Sequence, residues 1–142
     1  MPIQILEIQQ RYSDKIFATV RHCNYIFNAY VVDNRQDFSG IIGQDVVVEI
    51  DYEKLNSWRR VKNYQDDTSC ICKGETDSNL IVRGRIHNLI TTDNDTAIID
   101  IYLRNGPEFI VVESNELNGE ILDIGEGIEI EVSGLHFFPV HP

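Results

Sequence analysis

The stretch NSWRRVKNY, Asn56 to Tyr64, holds the chain's single tryptophan, Trp58, together with Arg59, Arg60, Lys62 and Tyr64. On a strand, Trp58, Arg60, Lys62 and Tyr64 share one face. Rings beside cations suit single-stranded nucleic acid, because bases stack on the rings while phosphates meet the charges. The same residues have a structural use: Trp58 plugs a barrel or a seam, and the Arg and Lys stems cover it. Charge favours the structural use, since phosphate binding rests on positive charge. The chain sets 12 Lys and Arg against 23 Asp and Glu, a net charge of −11. Two further aromatics, Tyr25 and Phe27, fall at a predicted hairpin tip in HCNYIFNAY, His22 to Tyr30. Exposed there, they would meet a partner. Turned inward, they would fill a small barrel.

Other chemistry-bearing groups are sparse. Cys70 and Cys72 flank Ile71, and in an extended stretch both thiols point the same way. Structural zinc sites add a second cysteine pair or a matching histidine pair. Free thiols are therefore expected, with no metal and no cofactor. Three cysteines, an odd count, do not make a disulfide framework. His22 and Cys23 are adjacent, but neighbours on a strand point to opposite faces, so adjacency alone makes no base and nucleophile pair. Asp93, Asp95 and Asp100 cluster, yet Asp93-Asn94-Asp95 reads as a turn and lacks the glycine and terminal glutamate of a calcium loop. There is no G-x-S-x-G, no phosphate-cradling glycine loop and no H-E-x-x-H. Arg83, Arg85 and His87 alternate around Gly84, where pairing with neighbouring acidic strands is expected. A non-catalytic protein is the expectation.

Charge is unevenly placed. Residues 1–64 carry eight basic and eight acidic side chains, and residues 65–142 carry four and fifteen. The whole excess lies in the second half, a surface that repels phosphate and attracts a basic partner. The leading expectation is thus a binding or adaptor protein whose acidic half faces a basic protein. An antitoxin-like or immunity-like inhibitor of a basic enzyme is one form of it. Nucleic-acid binding through the Trp58 strand is the alternative. No apolar run approaches the ~20 residues of a membrane helix. MPIQILEIQQRY lacks a basic leader region, so a cytoplasmic location is expected.

The elements that must hold these residues are short and rich in Val, Ile, Phe and Tyr, which marks strands. The first half reads as Ile3–Gln10, Lys15–His22, Phe27–Asp33, Asp45–Asp51 and Trp58–Tyr64. The second reads as Leu80–Ile90, Thr96–Leu103, Glu108–Ser114, Gly127–Ser133 and His136–Val140. Asn105-Gly106 is a hairpin signal. Ser114–Gly125 can hold one helical turn, with Ser114 as N-cap and Leu117 and Ile121 at i, i+4, though Gly119 weakens it. FSGIIGQDVVVEI, Phe38 to Ile50, is echoed by LDIGEGIEIEV, Leu122 to Val132. After Gly43 the inward set is Val46, Val48 and Ile50; after Gly125 it is Ile128, Ile130 and Val132. Matching phase puts the same face inward in both copies, and each leading glycine suits a bend at positive φ. The outer faces differ: Val47 and Glu49 in the first copy, Glu129 and Glu131 in the second.

The expected fold is all-β: an internal duplication of two five-stranded small β-barrels packed together. Residues 1–64 form the first repeat, 65–79 a polar linker or exposed hairpin, and 80–142 the strongly acidic second repeat. Each half of roughly 60 residues would be marginal alone. The strand order, with a longer connection before the fourth strand, resembles an OB-type barrel, a five-stranded partly open Greek key. The G-x-x-V-x-V entry at Gly43–Val48 and its counterpart Gly125–Ile130 resemble those of S1-type and transport-associated OB domains. The resemblance implies a barrel that often binds single-stranded nucleic acid. An SH3-like barrel fits almost as well.

Overall fold

A computed structural model describes residues 2–33, 38, 40–76, 78–91, 97–103 and 108–140. The described chain is all-β, with eleven strands and two short 3-10 turns. The first-half strands are β1 (Pro2–Arg11), β2 (Lys15–His22), β3 (Tyr25–Val32), β4 (Asp45–Asp51) and β5 (Lys54–Val61). After a turn at Asp66–Thr68 come β6 (Cys70–Lys73), β7 (Asn79–Thr91), β8 (Ala97–Leu103) and β9 (Glu108–Glu113). A second turn, Ser114–Leu117, leads to β10 (Gly127–Ser133) and β11 (His136–Pro139). The predicted turns at Asp93-Asn94-Asp95 and Asn105-Gly106 lie outside the described residues.

Five strands form one closed barrel in the order β1-β2-β3-β11-β4, with β4 returning to β1. The β3–β11 pair is parallel and the other pairs are antiparallel. A second sheet runs β5-β10-β7-β8-β9, with β6 also paired to β7. This sheet is open, so a closed second barrel is not seen. Within 65–79, β6 pairs antiparallel with β7, with Cys70 and Ile71 buried.

The fifth strand of each sequence half sits in the other half's sheet. β5 pairs with β10, and β11 completes the barrel between β3 and β4. Both exchanges are parts of one antiparallel ribbon. Asp51 lies opposite His136 and Lys54 opposite Ser133, three residues on and three back, so the register carries straight through the junction. The Glu53 N–H donates to the Ser133 carbonyl there, at 3.1 Å. One end of the ribbon is barrel wall and the other is second-sheet wall.

The glycines of the repeated stretch behave as expected. Gly43 and Gly125 adopt φ of +82° and +95°, a region costly for residues with a Cβ. The inward set is buried as predicted: Val48, Ile128, Ile130 and Val132 are fully enclosed, and Val46 and Ile50 partly so. A continuous core runs through both sheets. Within the barrel, Phe27 of β3 meets Phe137 of β11 with ring centres 6.2 Å apart. Fully burying such a side chain contributes about 1.5–3 kcal/mol, so the incoming C-terminal strand is part of the barrel's stability.

Candidate functional site

The predicted aromatic and basic face is broken up. β5 begins at Lys54 and ends at Val61, and Asn63 turns the chain at φ +54°. Lys62 and Tyr64 therefore do not continue the face of Trp58 and Arg60. Trp58 lies opposite Ile130, half-buried against the core. Tyr64 stacks over Gly127, where an added Cβ would fall 2.3 Å from its own Cβ. Its hydroxyl hydrogen-bonds with the Ser69 hydroxyl. Burial first of all raises the Tyr64 phenol above its ordinary pKa.

Both arginines of the cluster are engaged by carboxylates of the second half. Arg59 forks onto Glu129 through Nε and Nη2, at 3.1 and 3.0 Å. Glu129 also accepts from Arg83 Nε at 2.8 Å. Burial opposes ionisation of Glu129, but hydrogen bonds from Arg59 and Arg83 hold it below the usual carboxylate range. The bond to Glu129 in turn raises Arg83. Arg60 donates to Glu126 at 2.9 Å and to the Ile121 carbonyl at 2.6 Å, with Glu120 at 3.6 Å. Arg85 meets Asp66 at 3.3 Å. Arg83 thus pairs with the acidic strand beside it, as expected, whereas the partner of Arg85 lies in the turn before β6.

At the β2–β3 tip, Tyr25 is exposed and Phe27 is enclosed at 1% exposure, beyond a partner's reach. His22 and Cys23 do touch, contrary to the strand argument: Sγ lies 3.6 Å from Nε2. The reason is local. β2 ends at His22 and Cys23 adopts φ +54°, which swings its side chain back. His22 is buried, and its Nδ1 has no hydrogen-bond partner among the described residues. Burial, then the charge of the N-terminus, push its pKa down to about 4. A neutral imidazole supplies no cation to stabilise a thiolate.

Cys70 and Cys72 share a face as predicted, with sulfurs 3.9 Å apart. Burial, then the neighbouring Cys72, push the Cys70 thiol up to about 12. Both cysteines are free. Among the described residues, no group of three or more His, Cys, Asp or Glu side chains is placed to hold a metal. No helix there is long and apolar enough to cross a membrane.

The feature that residue-by-residue reading missed is a groove of about 730 Å³ between the barrel wall and β9. β4 and the residues after it supply Glu49, Ile50, Asp51, Tyr52 and Glu53; β11 supplies Phe138. The facing wall is Val111 and Glu113 of β9, with Glu116 of the following turn. Tyr52 Oη donates to both Glu116 oxygens, at 2.9 and 3.0 Å. Burial, then this bond, push the phenol above its ordinary range, so it stays a donor. Glu116 also accepts the Glu113 N–H at 3.1 Å, which fixes the turn. The predicted cap was Ser114; the residue found there is Glu113. Val111 and Phe138 are 48% and 37% exposed. Among the described residues no lysine or arginine lines the groove, and Glu53 lies 3.9 Å from His136. The sequence signal was the alternation Glu49, Asp51, Glu53.

Comparison with protein-family models, with curated proteins and with solved structures finds no match to this chain.

Proposed function

We propose that this chain is a non-catalytic binding or adaptor protein that takes a basic protein on its acidic surface. Its frame is read as two OB-like units that exchange their fifth strands. The closed barrel, with first-half strands in the order 1-2-3-then-4 and a borrowed strand between three and four, fits a Greek-key barrel of that type. Matching registers support a duplication. The Gly43 N–H bonds to the Ile5 carbonyl, and the Gly125 N–H to the Ile86 carbonyl. The first strand of each half is irregular directly after those residues, between Ile5 and Glu7 and between Ile86 and Asn88.

The observation that carries the binding reading is the contrast between two acidic regions. On β10 and the loop before it, Glu129 and Glu126 face arginines of the same chain. In the groove, five carboxylates stand with no lysine or arginine lining it among the described residues. Like charges held together favour a cationic partner. The engaged arginines of β5 are correspondingly less available to phosphates, which weighs against the nucleic-acid reading.

Titration with a small basic protein tests this. Binding should weaken steeply between about 0.01 M and 0.15 M salt, as the Debye length falls from ~30 to ~8 Å. Salt-insensitive binding, or none, overturns the proposal. In parallel, an oligonucleotide at low salt should leave Trp58 fluorescence unchanged. Quenching there would favour the single-strand reading instead.

A further inference from the structure

Away from the groove, β6 carries two free thiols, Cys70 and Cys72, with sulfurs 3.9 Å apart. The intervening Ile71 is enclosed in the core, so both cysteines project from the opposite face of the sheet. Cys70 is buried and Cys72 half-buried, which leaves one thiol within reach of solvent. They lie opposite Arg83 and Ile81 of β7. The row of Cys70 continues through Arg83 and Glu129 to Arg59, two guanidiniums against one carboxylate. Glu131, in the row of Cys72, accepts from Ser57 of β5 at 3.2 Å.

Two kinds of bond could join such a pair, and spacing decides between them. A disulfide needs sulfurs about 2.05 Å apart and Cα atoms within about 4.4–6.8 Å. Alternate residues of an antiparallel strand lie ~6.8 Å apart, the far end of that range, and pairing with β7 holds them there. A metal–thiolate bond of about 2.3 Å puts two sulfurs about 4.6 Å apart when the ion lies in line between them. The separation of 3.9 Å is much nearer the second spacing. The expectation of free thiols came from zinc, which takes four ligands. Soft monovalent ions, copper(I) foremost, favour thiolates and are satisfied by two of them.

We propose that Cys70 and Cys72 are the two ligands of one soft monovalent ion of the copper(I) class. Each thiol gives its proton to solvent and forms one metal–sulfur bond, and no electron changes hands. Two thiolates and one such cation leave a single negative charge, with the Arg83 guanidinium beside both sulfurs. Burial and the neighbouring Cys72 keep Cys70 protonated; a cation between the sulfurs removes the second of these obstacles. The ion arrives at Cys72, the accessible ligand, and Cys70 closes behind it.

The probe is copper(I) itself, supplied without oxygen as its coloured bicinchoninate complex. The full chain carrying Cys23→Ser is used, so that the β6 thiols are the only ones left. It should bleach the complex at one copper per chain, and X-ray absorption should show two sulfur neighbours. Cys72→Ser in the same background should weaken binding by about a hundredfold or more, the upper end of what losing a mere supporting contact costs. Circular dichroism checks that this variant is folded. Capping the thiols with N-ethylmaleimide should abolish uptake with no further substitution. Zinc at the same concentration should not be retained. No bleaching, one copper per two chains, or undiminished uptake by Cys72→Ser overturns the site. Retention of zinc as tight as that of copper overturns two-coordination.

Discussion

Glu129 is the residue at which the charges of the two halves meet. Its carboxylate is 14% exposed and lies between Arg59 and Arg83. Glu129→Gln should destabilise the protein by about 1–3 kcal/mol in urea unfolding, because both guanidiniums lose a charged acceptor. Arg59→Ala should cost less, in the 0–1 kcal/mol range of surface pairs, since Arg59 is 62% exposed. An equal cost for the two would show that Arg83 adds nothing. His22 gives a pH signature. Its folded pKa near 4 lies below the ordinary 6.5. Between those values the unfolded chain binds a proton that the folded chain does not. Its contribution to stability is therefore complete above pH 6.5 and is lost as pH falls towards 4, by up to about 3 kcal/mol. Replacing His22 with Leu should flatten the slope of unfolding free energy across that window; an unchanged slope would refute this. The sequence showed these residues but not their partners. A pattern of charges tells which strands attract, not which side chain reaches which.

At the scale of elements, strands led by glycine and built on strict alternation were legible. Asp45–Asp51 and Gly127–Ser133 are found with the bounds expected of them. β5 was not legible as drawn: the predicted Trp58–Tyr64 is four residues late. Its apolar residues explain why. Leu55 and Trp58 are three apart, an odd interval for one face of a strand. The interval comes from a bulge: Leu55 faces Val132 and Ser57 faces Glu131, which leaves Asn56 as an extra residue. The turn after β9 went the same way. Leu117 is buried, but Ile121, its expected i+4 partner, is 83% exposed because Asn118 and Gly119, both at positive φ, end the turn before it. The groove lay further from view. Glu49, Asp51 and Glu113 are separated in sequence, and only the packing of β4 beside β9 makes them two walls of one space.

For the whole molecule, the all-β class and the five-strand plan of each half were readable, and the exchange of fifth strands was not. Period two fixes which face of a strand is buried but is silent on its neighbour. One trace did exist: the basic β5 and the recharged outer face of β10 are complementary. The exchange has a direct test. Residues 1–76 lack β11 and residues 77–142 lack β5 and β6, so each fragment should remain largely unfolded alone by circular dichroism. Mixing them should restore β structure. Two fragments that fold separately would refute the shared ribbon. In the intact chain a single cooperative unfolding transition is expected, because neither unit can lose the ribbon without opening the other.

The ribbon also has the form of a dimer contact held within one polypeptide. Two identical chains that each gave their last strand across a twofold axis would form the same antiparallel pair, with a register set by symmetry. Such a dimer comes apart on dilution. Covalent joining through residues 65–79 removes that concentration dependence and fixes the ratio at one to one. It also removes the need for the two ends to stay alike. One end can then close its carboxylates onto arginines, as β10 does with Arg59 and Arg83, while acidic residues beside the other remain turned to solvent.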